Sequence, residues 1–160
     1  MDCWNNNPDF TISAASDIYA VRKILAQAIS HNSIADLSPE NLGTLELILA
    51  EALNNVAEHA YSGGRTGPIT LSWSKKSDGL HICIQDTGHP MPDCMVPSTT
   101  QPDPNVALNA LPEGGFGWFL IRTLAKDLKY SRSGQINCLK LRFPMGKEQN
   151  RHSEFAPKAP

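Results

Sequence analysis

The segment that most restricts the fold of this chain is a long helical stretch at residues 39–61. Ser38-Pro39-Glu40 is a typical helix start, because serine caps free N–H groups and proline is accommodated at the first helical position. Gly63-Gly64 is a typical helix stop. A helix of this length is long for a globular protein, so we expect it to cross the whole domain. One of its faces suits a hydrophobic core, with Leu45, Leu49, Leu53 and Val56.

The other predicted elements are short strands and two further helices. A first strand at 10–14 is followed by a helix that Ser16 or Asp17 caps and that ends near Ile29. Alternating apolar residues predict the later strands, at 69–74, 80–85, 128–132 and 137–143, with a hairpin turn at 75–79 and a helix from Gly114 to about Asp127. Along the chain, the predicted helices and strands are grouped and do not alternate one by one. We therefore predict an α/β two-layer sandwich, with helices on one face of a mostly antiparallel sheet.

We expect one folded domain at residues 10–144, between an N-terminal extension at 1–9 and a flexible C-terminal tail at 145–160. The chain has 160 residues, of which 41 % are apolar, which is sufficient for one core. Residues 89–112 contain six prolines and have no periodicity. A stretch of this kind inside a domain is a functional lid or a disordered segment.

Composition excludes several classes of protein. The net charge of −2 gives no electrostatic case for direct binding of nucleic acid. No apolar run is long enough to span a membrane, and the N-terminus has no secretion signal. The four cysteines form no C-x-x-C pair, and we expect Cys83 and Cys138 to be small core residues rather than zinc ligands. We therefore expect a protein of the reducing cytoplasm.

Two polar residues on the long helix are candidates for chemistry. Glu51 and Asn55 are four residues apart, which places them on one face, about 6 Å apart along the helix axis. An amide oxygen is a suitable ligand for Mg²⁺, and a carboxylate can act as a general base. Each residue alone would be an ordinary surface residue. Glu58 is expected on the surface, whereas His59, one turn after Asn55, either contacts phosphate or closes the site.

Two glycine-containing segments complete the candidate site. Asp86-Thr-Gly88 follows a strand, where the carboxylate can accept a hydrogen bond from an exocyclic amine and the glycine permits a sharp turn. Glu113-Gly-Gly-Phe-Gly117 opens a helix, whose free N–H groups can bind an anion. It is not a P-loop, because no Gly-Lys-Ser/Thr follows. Taken alone, Asp86-Thr-Gly88 is a common turn, and Glu113-Gly-Gly-Phe-Gly117 is a flexible hinge before a helix.

Together the three segments resemble the GHKL (Bergerat-fold) ATPases. Within that group the chain resembles the small bacterial anti-sigma factors that are also serine protein kinases, and the resemblance covers residues 10–144. The motifs that match are an N box (Glu51, Asn55, His59), an Asp-x-Gly box (Asp86, Gly88), a glycine box (Gly114, Gly115, Phe116, Gly117) and a closing pattern from Asn137 to Phe143. Many members carry a threonine in the last strand, where this chain has Asn137 or Cys138.

The resemblance implies a function and a set of ligands. We expect an ATP-dependent serine/threonine protein kinase that acts as an anti-sigma factor, with ATP and Mg²⁺ as cofactors. Glu51 would be the catalytic base and Asn55 the metal ligand. The nucleotide would be bound by the N box, the Asp-x-Gly box and the glycine box, that is, by Asn55, His59, Asp86, Gly88, Gly114, Gly115, Phe116 and Gly117. The implied partners are a sigma factor and an anti-anti-sigma (STAS-type) protein that the kinase phosphorylates, and a homodimer stays open.

Two alternatives stay open at this stage. The domain can be a non-catalytic, nucleotide-binding regulatory module that acts on a partner by contact alone. It can also be a catalytic domain related to two-component histidine kinases. The chain starts almost directly at the ATPase fold, without a dimerisation domain that carries a phospho-acceptor histidine, and this argues against a sensor histidine kinase.

Overall fold

A central antiparallel sheet organises the protein. The computed structural model describes residues 7–17, 19–98 and 116–145, and these form five strands in the order β1-β2-β3-β5-β4. The strands are β1 (Phe10–Ala15), β2 (Pro68–Lys76), β3 (Gly79–Asp86), β4 (Lys126–Ser133) and β5 (Ile136–Phe143). Three helices pack on this sheet: α1 (Ala20–Ile29), α2 (Pro39–Asn55) and α3 (Phe116–Leu124). The predicted fold class is confirmed.

The core lies between α2 and one face of the sheet. Alternate residues of the inner strands point to this face, as expected for a sheet that is covered by helices on one side. Full burial of an aliphatic side chain stabilises a fold by about 1.5–3 kcal/mol. The main contributors are Leu45, Ile48, Leu49 and Leu53 from α2 and Ile69, Leu71, Trp73, Leu80, Ile82, Ile84, Leu139 and Leu141 from the strands.

The start of α2 and the β2–β3 hairpin follow the local sequence signals. Ser38 caps α2 by accepting a hydrogen bond from the Asn41 N–H (3.2 Å). Lys76 pairs with Gly79, so the hairpin loop is shorter than predicted and the strands are longer. Gly79 has φ of +137°, and a Cβ at this position would overlap the Phe143 carbonyl oxygen. This turn therefore requires glycine.

Two helix boundaries were predicted wrongly. α1 begins at Ala20 and is not capped by a side chain, because Ser16 and Asp17 are used elsewhere. Ser16 Oγ accepts from the Gly67 N–H (3.0 Å), and Asp17 Oδ1 accepts from the Tyr19 N–H (2.8 Å). α3 ends at Leu124 and does not reach residue 127 as predicted. Asp127 has a positive φ of 53°, which an α-helix does not accommodate.

Buried sulfur is found where it was expected. Cys83 and Cys138 lie on adjacent strands, are both buried, and have their Sγ atoms 3.4 Å apart. Burial raises the pKa of the Cys83 thiol to about 12. Cys83 is therefore a protonated, unreactive side chain at neutral pH.

The predicted lid is only partly within the described residues. Residues Pro92–Cys94 form a short 3₁₀ turn, so this part has local structure that the prolines had not led us to expect. Residues 99–112 lie outside the described part of the chain. Of the helices in the described ranges, none is both long and apolar enough to cross a membrane.

Candidate functional site

The end of α2 meets the end of β3 through a change in helix type. After Asn55 the chain makes a π-helical turn, Val56–Ala60, which has more residues per turn than an α-helix. The Ala60 carbonyl oxygen accepts a hydrogen bond from the His89 N–H (2.7 Å). A Cβ on Gly88 would overlap the same carbonyl. Gly88 therefore allows the backbone of the π-helical turn to approach the end of β3.

This junction forms one wall of a cleft of about 360 Å³. That volume lies within the range of small-molecule and cofactor sites. Its polar lining comes from α2 and its extension and from three strands, with Asn55, His59, Asp86, Tyr130 and Asn137. Its apolar lining includes Val56, Met91, Pro92, Pro97 and Trp118. A cleft with this lining suits a ligand that has an apolar ring system and a few hydrogen-bonding groups.

Asp86 is the buried carboxylate of the cleft. It ends β3, and its side chain is only 6 % exposed. Oδ1 accepts hydrogen bonds from the Gly88 N–H (2.8 Å) and from Asn137 Nδ2 (2.7 Å). Burial raises the pKa of Asp86, whereas these two hydrogen bonds and the nearby Arg132 charge act in the opposite direction. In its ionised form the carboxylate accepts hydrogen bonds only, so it would recognise a donor such as an exocyclic amine.

Asn55 carries a buried polar atom that has no hydrogen-bond partner within the described ranges. Its Nδ2 atom is buried and has no hydrogen bond to any residue of the described ranges. Buried side-chain amides are normally satisfied, so an orphan beside a cleft indicates a ligand. The carboxamide also supplies an oxygen, which is the atom that Mg²⁺ prefers. The site therefore fits both a polar ligand and a magnesium ion held through Asn55.

Glu51 and Gly117 bring two of the predicted motifs together. Gly117 lies at the start of the described part of α3, and a Cβ there would overlap the Glu51 Oε2 atom. The absence of a side chain at this residue thus creates the space that the carboxylate occupies. Glu51 is one helical turn before Asn55, so its carboxylate belongs to the same end of α2 as the cleft.

The remaining predicted residues are distributed as follows. His59 is exposed and lines the cleft, and Glu58 is exposed as expected. Phe116 is 53 % exposed, with its ring 6.1 Å from that of Phe119. Gly114 and Gly115 lie outside the described residues. The structure thus gathers Asn55, His59 and Asp86 in one cleft and places Glu51 against Gly117.

Two residues of the site, Tyr130 and Arg132, carried no predicted role. Tyr130 OH donates to Asn137 Oδ1 (2.6 Å) and accepts from the Met91 N–H (3.1 Å). Arg132 Nη1 donates to Asn137 Oδ1 (2.5 Å) and to the Gly88 carbonyl oxygen (3.1 Å). Asn137 was predicted only as part of the closing pattern of the last strand. Its burial could also have been foreseen from the pattern of β5, where it faces the core in register with Leu139 and an amide is unusual. Tyr130 and Arg132 gave no such signal.

Comparison with known proteins agrees with this architecture. A family model described as the histidine kinase-like ATPase domain matches residues 13–143. Curated relatives include serine-protein kinases RsbW from three bacteria. The protein from Oceanobacillus iheyensis is 33 % identical over 58 % of this chain and 59 % of its own length. Those from Halalkalibacterium halodurans and Bacillus mycoides are 29 % and 24 % identical, over 80 % and 84 % of this chain and 77 % and 83 % of theirs.

Two solved structures share the fold. The RsbU and RsbW domains of a Mycobacterium tuberculosis protein align with a TM-score of 0.56 at 14 % identity, over 86 % of this chain and 33 % of that one. A histidine kinase domain from the Erythrobacter litoralis EL346 blue-light activated histidine kinase aligns with a TM-score of 0.50 at 23 % identity, over 79 % of this chain and 59 % of that one. The family model spans most of the chain, and the five-stranded antiparallel sheet with three helices packed on it agrees with that fold. The chain therefore belongs to the family of histidine kinase-like ATPase domains of the GHKL type.

Proposed function

We propose that this chain is an ATP-dependent serine/threonine protein kinase that acts as a cytoplasmic anti-sigma factor. It would sequester a sigma factor and phosphorylate an anti-anti-sigma protein. Membership of an ATPase domain family implies ATP binding. The observation that carries the proposal is the cleft in which Asn55, His59 and Asp86 meet. The serine-protein kinase relatives support transfer to a hydroxyl rather than to histidine.

The cleft suggests an orientation for ATP. Asp86 would accept a hydrogen bond from the adenine amino group at the buried end, between apolar walls that include Met91 and Trp118. The triphosphate would extend toward Asn55 and the described start of α3 at Phe116 and Gly117. A bound magnesium ion would neutralise phosphate charge there, and the Asn55 carboxamide oxygen would hold it.

Glu51 is the residue that we assign to proton transfer. It would accept the proton of the substrate hydroxyl as that oxygen forms its bond to the γ-phosphorus. The bond between the γ-phosphorus and the β-γ bridging oxygen breaks, and ADP leaves. Contact with Gly117 would hold the carboxylate at the end of the cleft where the phosphates are expected. Most of the rate enhancement in such transfers comes from positioning and charge stabilisation, to which the base adds a further factor.

Phosphoryl transfer from labelled ATP tests the proposal. The purified chain is incubated with Mg²⁺ and [γ-³²P]ATP, with and without a candidate anti-anti-sigma protein. We expect acid-stable label on the candidate, because phosphoserine survives acid and phosphohistidine does not. Acid-labile label would instead support the histidine kinase alternative. ATP binding without transfer to any tested candidate would support the regulatory module.

A matched pair of variants shows whether Glu51 has the assigned role. Glu51→Gln removes the base and keeps the shape of the side chain, whereas Glu58→Gln makes the same change at an exposed residue of the same helical region. We expect transfer to fail in the first variant only. Equal activity in both would remove Glu51 from the mechanism, and equal loss in both would show an indirect effect of charge.

A further inference from the structure

Asn137 is the centre of a buried hydrogen-bond network at the floor of the cleft. Its side chain is 2 % exposed. Nδ2 donates to Asp86 Oδ1 (2.7 Å) and to the His89 carbonyl oxygen (2.9 Å). Oδ1 accepts from Tyr130 OH (2.6 Å) and from Arg132 Nη1 (2.5 Å). Both donor hydrogens and both acceptor lone pairs of the amide are therefore used.

Saturation of the amide fixes the direction in which it points. If the amide were turned over, Nδ2 would face the Tyr130 and Arg132 donors, and Oδ1 would face Asp86 and the His89 carbonyl oxygen, so all four interactions would become repulsive or be lost. The donor side of Asn137 is thus held against Asp86. A threonine hydroxyl, which donates one hydrogen bond only, could not replace both of the amide's donated bonds.

The network also decides which oxygen of Asp86 is available to a ligand. Both hydrogen bonds that the described residues donate to Asp86 fall on Oδ1, from Asn137 and from the Gly88 N–H (2.8 Å). No described residue donates a hydrogen bond to the second oxygen, Oδ2, and Asp86 lines the cleft, so we assign Oδ2 to the ligand. An ionised carboxylate whose Oδ1 is engaged in this way presents a fixed acceptor to whatever enters the cleft.

We propose that Asn137 is a positioning residue that sets the base selectivity of the cleft, favouring a purine with a 6-amino group over one with a 6-oxo group. The inference rests on the proposed function, since it concerns the nucleotide of the same site. A 6-amino group donates a hydrogen bond to Asp86 Oδ2. A 6-oxo group places a second acceptor against it and leaves the carboxylate unpaired, which is costly in a buried site.

The test compares the affinities of Mg-ATP and Mg-ITP by calorimetry. We expect the wild-type chain to bind ATP about 10- to 100-fold more tightly than ITP, as for one hydrogen bond to a charged group. Asn137→Leu removes the amide and retains the approximate size of the side chain. In this variant the ratio of ATP affinity to ITP affinity should fall below about threefold. The affinity for ITP itself should stay within about threefold of the wild-type value. A merely structural role would weaken both nucleotides together.

Two further variants keep the test decisive. Tyr130→Phe removes one donor to Asn137 Oδ1 and should lower the ATP/ITP ratio in the same direction, so it decides the matter if Asn137→Leu does not fold. Ile82→Val, a small change in the core of the adjacent strand, is the control for general loosening and should retain the wild-type ratio.

The outcomes separate this inference from the proposed function. A wild-type chain that binds neither nucleotide overturns the proposed function, and the inference with it. A wild-type chain that binds ATP and ITP equally overturns the inference alone. The inference is also overturned if Asn137→Leu keeps the wild-type ratio, or if it weakens ATP and ITP by the same factor.

Discussion

Glu51 Oε2 occupies the space into which a side chain on Gly117 would project. The two residues belong to different helices, α2 and α3, and to different sequence motifs. Glycine at position 117 is therefore explained here by a neighbouring carboxylate, without any requirement for an unusual backbone angle. This contact makes the position of the proposed base sensitive to a single methyl group.

We predict that Gly117→Ala reduces phosphoryl transfer by at least about tenfold, because the added methyl group must displace the Glu51 carboxylate. The fold should survive, since alanine favours helices. Gly43→Ala is the matched control: Gly43 also lies in a helix, but a Cβ there meets no atom within 4 Å. The control should raise the free energy of unfolding by about 0.5–1 kcal/mol and leave transfer unchanged. Unchanged transfer in both variants would show that the Glu51 position is not critical.

We predict that Glu51→Gln binds ATP as the wild type does and transfers phosphate about 10²–10⁴-fold more slowly. Binding should persist because the base acts in the transition state and contributes little to ground-state affinity. Calorimetry with Mg-ATP and single-turnover kinetics measure the two quantities separately. A variant with lost affinity and normal single-turnover rate would assign Glu51 to binding.

We predict that Asn55→Ala weakens Mg-ATP binding by at least about tenfold, since it removes the oxygen proposed to hold the metal. The loss should be much smaller for ATP in the presence of a chelator. Asn54→Ala, at the exposed neighbour on the same helix, should bind Mg-ATP normally. Isothermal titration with and without Mg²⁺ gives all the values. Wild-type affinity in Asn55→Ala would contradict the assignment.

We predict that ATP affinity falls as the pH is lowered through the raised pKa of Asp86. Burial raises this pKa above its ordinary value of 3.8, so the acceptor becomes protonated at a higher pH than in an unfolded chain. The same raised pKa affects the free energy of unfolding in the opposite direction to ATP affinity. Because the native state binds this proton more tightly, the contribution of Asp86 to the free energy of unfolding decreases as the pH rises from 3.8 through the folded-state pKa.

Two measurements check this behaviour. Calorimetric titration between pH 4 and pH 8 should show ATP affinity increasing with pH. In Asp86→Asn, ATP affinity should be low over the whole pH range, and its increase with pH that Asp86 causes should be absent. Urea unfolding of both proteins over the same range should show a smaller stability loss with rising pH in the variant. A pH-independent wild-type affinity would mean that Asp86 does not contact the ligand.

Local sequence signals predicted those parts of the fold that local interactions determine. The Ser38 cap and the Asp-Gly turn specify their own geometry, so the start of α2 and the β2–β3 hairpin were found. The start of α1 and the end of α3 were missed because they depend on contacts made later in the chain, such as the bond from Gly67 N–H to Ser16 and the pairing of Lys126 with Arg142.

The candidate site shows the same division. Motif spacing identified Asn55 and Asp86, and the structure places both in one cleft. The supporting network was not predicted, because Tyr130 and Arg132 reach Asn137 across a hairpin and no spacing rule indicates a side chain's partner on another strand. The assigned roles of these residues remain predictions that the variants above address.

The π-helical turn after α2 makes the length of this segment more critical than its composition. Deletion of one residue between 56 and 60 would favour a regular α-helix and rotate all that follows by about 100°. His59 would then leave the cleft, and the Ala60 carbonyl would no longer meet the His89 N–H. We therefore expect engineered insertions or deletions in this segment to be tolerated far less than substitutions at exposed positions that do not line the cleft.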